Sequence, residues 1–350
     1  MKVCADRLKA LVRQFPSLRV VVIGDVMLDE FVWGKVRRIS PEAPVPVLEV
    51  KEEEMFPGGA ANVARNLRSL GAQVVLLGRI GKDHHGAILK QLLHDQQIET
   101  YFLETETIPT IVKTRIIARE DSLHVGSSLL PRDNRSRVII RPQHIVRVDR
   151  EDRTPITSLE WGALVPTLDR LLSDADALIV EDYGKGFVTQ EVADAVADCC
   201  AHHQVLWTVD PNPTNPLFWR GPKAIKPNRS EAFAAADRRL SDRDEDLDHV
   251  GQRLLSMWQT ELLLITLGDQ GMALYDRQGS KYRSATKAKE VYDVSGAGDT
   301  VIAAFTLALA ASATPIEATE IANHAAGIVV EKLGTATVSP EELIAGLMNA

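Results

Sequence analysis

From residue 156 onward the chain alternates short strand-like runs with longer helix-like runs, and that alternation limits the architectures open to it. Residues 161–173, 190–202, 230–236 and 245–258 read as helices. Between them, residues 177–181, 205–209, 224–226 and 262–267 are short apolar runs that read as buried strands. Residues 271–275 and 281–283 suit a meander, and 298–311, 315–332 and 340–348 are further helices. Strands alternating with helices predict a mostly parallel sheet covered on both faces.

The first half continues the theme less regularly. Residues 19–23 form a β-branched strand ending at Gly24-Asp25, 58–70 a helix closed by Gly71, 74–78 a strand and 86–97 a helix. Residues 31–36 and 45–50 read as exposed strands; Pro41, Pro44 and Pro46 between them suit an edge or a turn. Residues 110–118 and 138–148 read as strands around a polar, irregular stretch, 120–134. The simplest organisation is one α/β domain over residues 1–350, with a small strand-built excursion from roughly 29–50 and 104–150.

The formal net charge of −8, without a Lys/Arg-rich block, argues against a nucleic-acid binder. No apolar stretch reaches membrane-spanning length, and residues 1–19 lack the apolar segment of a signal peptide. Cys4, Cys199 and Cys200 form no disulfide framework and no C-x-x-C pair, so the expected location is the cytoplasm.

Residues 293–300, DVSGAGDT, carry the sharpest chemistry. Gly296 and Gly298 allow a tight turn, and the apolar run 301–311 after them suits a buried helix whose first N–H groups bind anions. A carboxylate there, Asp299, would repel phosphate, but makes sense as a base that takes a proton from an attacking hydroxyl. The plain alternative is a helix cap flanked by glycines. Gly58, Gly59 and Asn62 suit a polyhydroxylated ligand or, equally, tight helix–strand packing. Asp25 and Asp29 follow the first strand, where open α/β sheets bind ligands; capping or solvent exposure suits at least one of them better. Asn228 and Glu231 could hold hydrated magnesium through water, although a capping box fits the spacing better. Thr266 and Gly268 end a strand beside a nucleotide site or an ordinary hairpin. Lys185 lies between glycines like a phosphate-contacting lysine, or as a solvated loop residue. Lys113 and Arg115 share one strand face, either for a substrate phosphate or for solvent. No P-loop motif is present.

Together these stretches resemble the ribokinase-like (PfkB) carbohydrate kinases over nearly the whole chain. Residues 58–71 (GGAANVARNLRSLG) look like the N-terminal signature of that family, 293–300 like the C-terminal one, and 228–231 like its N-x-x-E motif. Residues 24–34, 38–50, 109–119, 146–152, 181–186 and 325–339 are similar to its heptose-7-phosphate kinase branch. The resemblance implies a ribokinase-like fold with a small β-strand lid. It implies an ATP-dependent kinase that phosphorylates the anomeric hydroxyl of D-glycero-β-D-manno-heptose 7-phosphate for lipopolysaccharide core synthesis.

By the same resemblance, ATP meets Asn228, Thr266, Gly268 and Asn323, with Mg2+ reached by Glu231 through water and room for a monovalent cation. Asp29, Gly58, Gly59 and Asn62 hold the sugar, Asp299 is the base, and Gly296, Ala297 and Gly298 stabilise the transferring phosphoryl group. Lys113 and Arg115 are candidates for the 7-phosphate by charge and placement. Exposed lid strands imply a homodimer. The nucleotidyltransferase-like half that accompanies such kinases is absent before Ala350, so either a kinase standing alone or the kinase part only of such a protein is expected. Three departures stand out: an insertion near 120–141, Asn212 where lysine is usual, and Glu181 where a small residue is usual. The alternatives are another sugar, sugar-phosphate or nucleoside kinase of this fold, or a non-catalytic sugar-phosphate sensor.

Overall fold

The computed structural model describes residues 4–119, 143–288, 291–292, 294–332 and 334–348. The irregular stretch 120–134, the insertion near 120–141, the first part of the strand expected at 138–148, and Asp293 lie outside the described residues.

The central sheet is built on β1 (Arg19–Gly24), β4 (Gln73–Gly81), β5 (Glu99–Thr105), β8 (Ala177–Glu181), β9 (Leu206–Asp210), β10 (Ala224–Ile225), β11 (Leu262–Thr266), β12 (Met272–Asp276) and β13 (Lys281–Ser284). Their spatial order is β13-β12-β11-β10-β9-β8-β1-β4-β5. From β5 to β11 neighbouring strands are parallel; β12 and β13 close one edge as the expected antiparallel meander. The chain leaves β1 toward β4 and β5, then returns to β8 on the other side of β1. That reversal opens a crevice beyond the carboxyl ends of β1 and β8, the usual ligand position in open α/β sheets.

Both faces are covered, as the alternation demanded. Val20 and Val22 of β1 pack into one apolar cluster, with Leu67, Phe305 and Ile321 from α2 (Ala60–Ser69), α8 (Ala297–Ala310) and α9 (Pro315–Val330). Val21 and Ile23 point the other way. They meet Leu168, Val196 and Leu254 from α4 (Ser158–Leu172), α5 (Gln190–His203) and α7 (Asp244–Met257). Alanines at 303, 304, 308 and 310 keep α8 slim, and residues 299–309 of that helix are all buried.

A second, mixed sheet has the order β3-β2-β6-β7, from β2 (Val26–Ile39), β3 (Pro46–Gly59), β6 (Ile111–Ala118) and β7 (Gln143–Arg150). β2 and β3 are far longer than the strands expected at 31–36 and 45–50. They pair antiparallel from Val26 opposite Gly59 to Ile39 opposite Pro46, and this pairing carries the acidic run Glu52–Glu54 into the strand. Gly58 and Gly59 therefore end β3, and α2 starts at Ala60 rather than at 58. Two elements were not anticipated: the half-exposed edge strand β5, with its polar Glu and Thr positions, and α1 (Ala5–Val12) in the charged N-terminal segment.

Candidate active site

Asp299 lies in the first turn of α8 and is buried. Its Oδ2 accepts a 2.6 Å hydrogen bond from Asn62 Nδ2, and its Oδ1 a 3.2 Å bond from the Tyr183 hydroxyl. At the next residue of α8 and one turn further along α2, Thr300 Oγ1 donates to Asn66 Oδ1 at 2.7 Å, and Asn66 Nδ2 donates back to the Asn62 carbonyl at 2.9 Å. Spacing of i, i+4 puts Asn62 and Asn66 on one face of α2, so two contacts fix that helix against α8. Gly296 caps α8 in the left-handed region, at φ 77°. A Cβ there would stand 2.8 Å from Asn62 Nδ2, so glycine is what lets the turn sit against Asn62. The Ala297 N–H is used within the turn, donating to the Val294 carbonyl at 3.2 Å. The helix start, expected at 298, falls at Ala297.

Burial pushes the Asp299 pKa above the ordinary aspartate value; the bond from Asn62, the Lys226 charge and the bond from Tyr183 pull it down, and the Asp29 charge adds to the rise. Burial pushes Tyr183 up as well, so the phenol stays a neutral donor. The Lys113 ammonium sits over the Tyr183 ring, 4.6 Å from its centre, and burial lowers its pKa.

Asp29 reaches the site from β2. Its Oδ1 accepts from Arg115 Nη1 at 2.5 Å, and the Arg115 guanidinium also lies 5.1 Å over the Phe31 ring. Register explains the meeting: β2 and β6 run parallel with Asp29 opposite Lys113 and Phe31 opposite Arg115. Gly58 passes so close to the Asp29 carboxylate that a Cβ would strike it. Asp25, weighed beside Asp29, does other work. Its carboxylate accepts from the backbone N–H groups of Tyr183, Lys185 and Phe187 at 2.9, 3.0 and 3.1 Å, and so holds the loop that aims Tyr183.

Beneath Asp299 the ends of β8 and β9 add Glu181 and Asp210, paired across the strands. Lys226 Nζ is 2.6 Å from Asp210 Oδ2. Burial raises Asp210 to about 7 against the pull of Lys226. Burial, then the charges of Asp210 and Asp299, push Glu181 well above the ordinary range. Burial opposes the Lys226 charge, but Asp210, Glu181 and Glu231 outweigh it and hold its pKa above the ordinary lysine value.

Asn228 and Glu231 form the capping box that the spacing favoured, opening α6 (Arg229–Ala235). Asn228 Oδ1 accepts from the Glu231 N–H at 2.9 Å, and Glu231 Oε2 from the Asn228 N–H at 2.7 Å. The Glu231 charge is nonetheless felt at Glu181, Asp210 and Lys226. Asn228 also bridges to Thr266, which places those two together at neighbouring strand ends; Gly268 follows at φ 60°. Asn323 is turned to another task, its amide donating to Ser284 Oγ and the Ala285 carbonyl, each at 2.7 Å. Lys185 is buried and ion-paired with Glu151. Asn212 caps its own loop, its Oδ1 accepting from Thr214.

Asp29, Asn62, Lys113, Arg115 and Asp299 thus form one continuous set, and Asn228 with Thr266 a second. Tyr183, Asp210 and Lys226 were missed, and Glu181 was noted only as a departure. Their signal was positional: each stands at or just beyond the carboxyl end of a parallel strand.

The model of the pfkB family carbohydrate kinases matches residues 17–127 and 143–342. Bifunctional protein HldE of Citrifermentans bemidjiense is 39% identical over 331 residues, 94% of this chain and 63% of that protein. The Helicobacter hepaticus protein of the same name is 38% identical over 329 residues, again covering 94% and 63%. The chain therefore spans less than two thirds of the length of these relatives. Among solved structures, phosphofructokinase-2 from Escherichia coli in complex with potassium superposes with a TM-score of 0.73 at 20% identity, covering 95% of this chain and 99% of that one. Arabidopsis thaliana ribokinase complexed with ribose and ATP gives 0.67 at 18% identity, covering 94% and 98%. At such identities the likeness is one of fold, and the fold is ribokinase-like, as expected.

Proposed function

The chain belongs to the pfkB family of carbohydrate kinases, and we propose that it transfers the γ-phosphoryl group of ATP to the anomeric hydroxyl of a heptose 7-phosphate. The observation that carries the chemistry is the buried Asp299 carboxylate at the start of α8, aligned by Asn62 and Tyr183. A carboxylate fixed by two donors keeps further lone pairs for a sugar hydroxyl. Its raised pKa makes it a better proton acceptor than a solvated aspartate.

Asp299 takes the proton as the hydroxyl oxygen attacks the γ-phosphorus, and the bond to the ADP oxygen breaks in line. The glycine turn at 296–298 lets backbone approach the phosphoryl group closely, and such transfer depends on positioning and charge stabilisation. Asn62 bonds Asp299 and the Asp29 charge is felt there, so both suit hydroxyls of the sugar; Asn62 Oδ1 is buried without a hydrogen-bond partner among the described residues, an acceptor for a ligand hydroxyl. Arg115 pins Asp29, and Lys113 is the ammonium assigned to the sugar phosphate. Asn228 and Thr266 stand together on the side assigned to the nucleotide. Magnesium fits the donor chemistry, because Glu231, Asp210 and Glu181 are hard oxygen donors whose charges are felt together. When bound, the ion neutralises phosphate charge.

The substrate assignment is supported by the heptose-kinase-like stretches, which include Asp29, Lys113, Arg115 and Tyr183. No helix among the described residues is long and apolar enough to cross a membrane. A cytoplasmic homodimer completes the reading: Val50, Val146 and Val148 are about half exposed on the smaller sheet and suit a second copy. The test is ADP release from Mg-ATP with heptose 7-phosphate, fructose 6-phosphate, ribose, adenosine or no acceptor, with phosphorus NMR of the product. ADP formed with the heptose phosphate, and an anomeric phosphate in the product, is the expected result. Preferred turnover of another acceptor overturns the substrate assignment, and no turnover with any overturns the kinase reading.

A further inference from the structure

We propose that Arg79 is a positioning residue for the transfer: it holds both supports of the loop 183–187 and so keeps the Tyr183 hydroxyl on Asp299. The assignment deepens the kinase reading and rests on it for the role of Asp299. Arg79 lies near the end of β4, where Val75 and Leu77 face the apolar cluster with α4, α5 and α7. Alternation along the strand puts residue 79 on that same face, so a guanidinium stands where an apolar side chain would continue the pattern. It is 8% exposed, and its Nη1 is buried without a hydrogen-bond partner among the described residues. A cation is costly in such a place unless nearby charge offsets it.

The loop needs support because Gly184 and Gly186 both adopt the left-handed region, at φ 63° and 89°. One support is Asp25, whose carboxylate accepts from the backbone N–H groups of Tyr183, Lys185 and Phe187. Arg79 and Asp25 line one small cavity, together with Pro109, Asp152, Lys185 and Phe187. Burial pushes the Asp25 pKa up; the N–H groups of Lys185, Phe187 and Tyr183, and then the Arg79 charge, pull it back. Burial also lowers the Arg79 pKa, and the charges of Glu160, Asp25 and Asp152 oppose that. The second support is the segment 151–156. Glu151 pairs with Lys185, and the Ile156 N–H donates to the Gly186 carbonyl at 2.8 Å. A Cβ on Gly186 would stand 2.6 Å from the Thr154 carbonyl oxygen, so segment and loop lie in direct contact. Arg79 Nη2 donates to that same carbonyl at 2.7 Å.

Both supports thus converge on one side chain. Its hydrogen bond fixes the segment 151–156, and its charge favours the ionised Asp25 that the three N–H groups need. The loop between them carries Tyr183, whose hydroxyl meets Asp299 at 3.2 Å. Arg79 acts through these supports, not by contact with the reacting atoms.

The experiment combines amide hydrogen exchange, read by mass spectrometry on the full chain without substrate, with steady-state kinetics. Arg79→Met is expected to speed exchange about tenfold in peptides covering 182–188, while peptides from α7 and α9 keep wild-type rates; Arg79→Lys, which keeps the charge, should fall between. The same Arg79→Met change should lower kcat about tenfold with KM for ATP unchanged, but less than about twofold in a Tyr183→Phe background, because residues acting through one another are not additive. Circular dichroism checks that each variant folds, and Arg79→Gln replaces a Met variant that does not. Wild-type exchange in this loop, or the full tenfold loss of kcat in the Tyr183→Phe background, overturns the proposal. Because exchange is read without substrate, failure of the sugar-kinase assignment leaves that readout untouched.

Discussion

Asn62 Nδ2 and Asp299 Oδ2, 237 residues apart in the chain, meet at 2.6 Å in the buried seam between α2 and α8. This contact joins the two signature stretches into one site and fixes where the candidate base points. Removing the amide takes a charge-assisted hydrogen bond from the base, worth about 1.5–3 kcal/mol. Asn62→Ala is therefore expected to lower kcat by roughly 10- to 100-fold. Steady-state kinetics at saturating ATP check this; a rise in KM alone would reduce Asn62 to substrate binding.

Tyr183 is the second donor to Asp299, and Tyr183→Phe removes only its hydroxyl. That bond favours the ionised carboxylate, so its loss raises the Asp299 pKa further. The base must be ionised to act. The acid limb of the kcat/KM profile should then move to higher pH in the variant, with activity partly restored at alkaline pH. An unshifted limb would mean that Tyr183 only fills space.

Arg115 holds Asp29 and covers the Phe31 ring. Arg115→Ala should leave Asp29 loosely placed and raise KM for the sugar phosphate about tenfold or more, the loss of one charged contact. KM for ATP should change little. An equal effect on both substrates would place Arg115 outside the sugar half of the site.

Gly296→Ala forces a side chain into the left-handed region and toward Asn62 Nδ2. The backbone strain alone is about 1–2 kcal/mol. A lowered melting temperature together with reduced kcat is expected, and a variant with wild-type melting and turnover would contradict the geometry assigned to the turn.

Much of this was legible in the sequence because it rests on local pattern. The β-branched runs and their helical neighbours specified the parallel sheet, and the glycine turn before an apolar run marked Asp299. The residues around Asp299 were harder to read. Tyr183, Asp210 and Lys226 come from three strand ends that become neighbours only once the sheet is ordered β10-β9-β8-β1. The lengths of β2 and β3 were hidden for a similar reason: their pairing, not their composition, makes Glu52–Glu54 a strand. Lys185, read as open between glycines, is buried against Glu151, thirty-four positions earlier in the chain, which local spacing does not show. The Asn228 and Glu231 capping box, being local, was read in advance.

The most direct test of the catalytic assignment is Asp299→Asn, which nearly preserves shape and can still meet Tyr183, but cannot accept the sugar proton. Turnover of Mg-ATP with heptose 7-phosphate should fall by about 10²- to 10⁴-fold while the melting temperature stays close to wild type. A folded variant with near-normal turnover would contradict the role of Asp299 as the base.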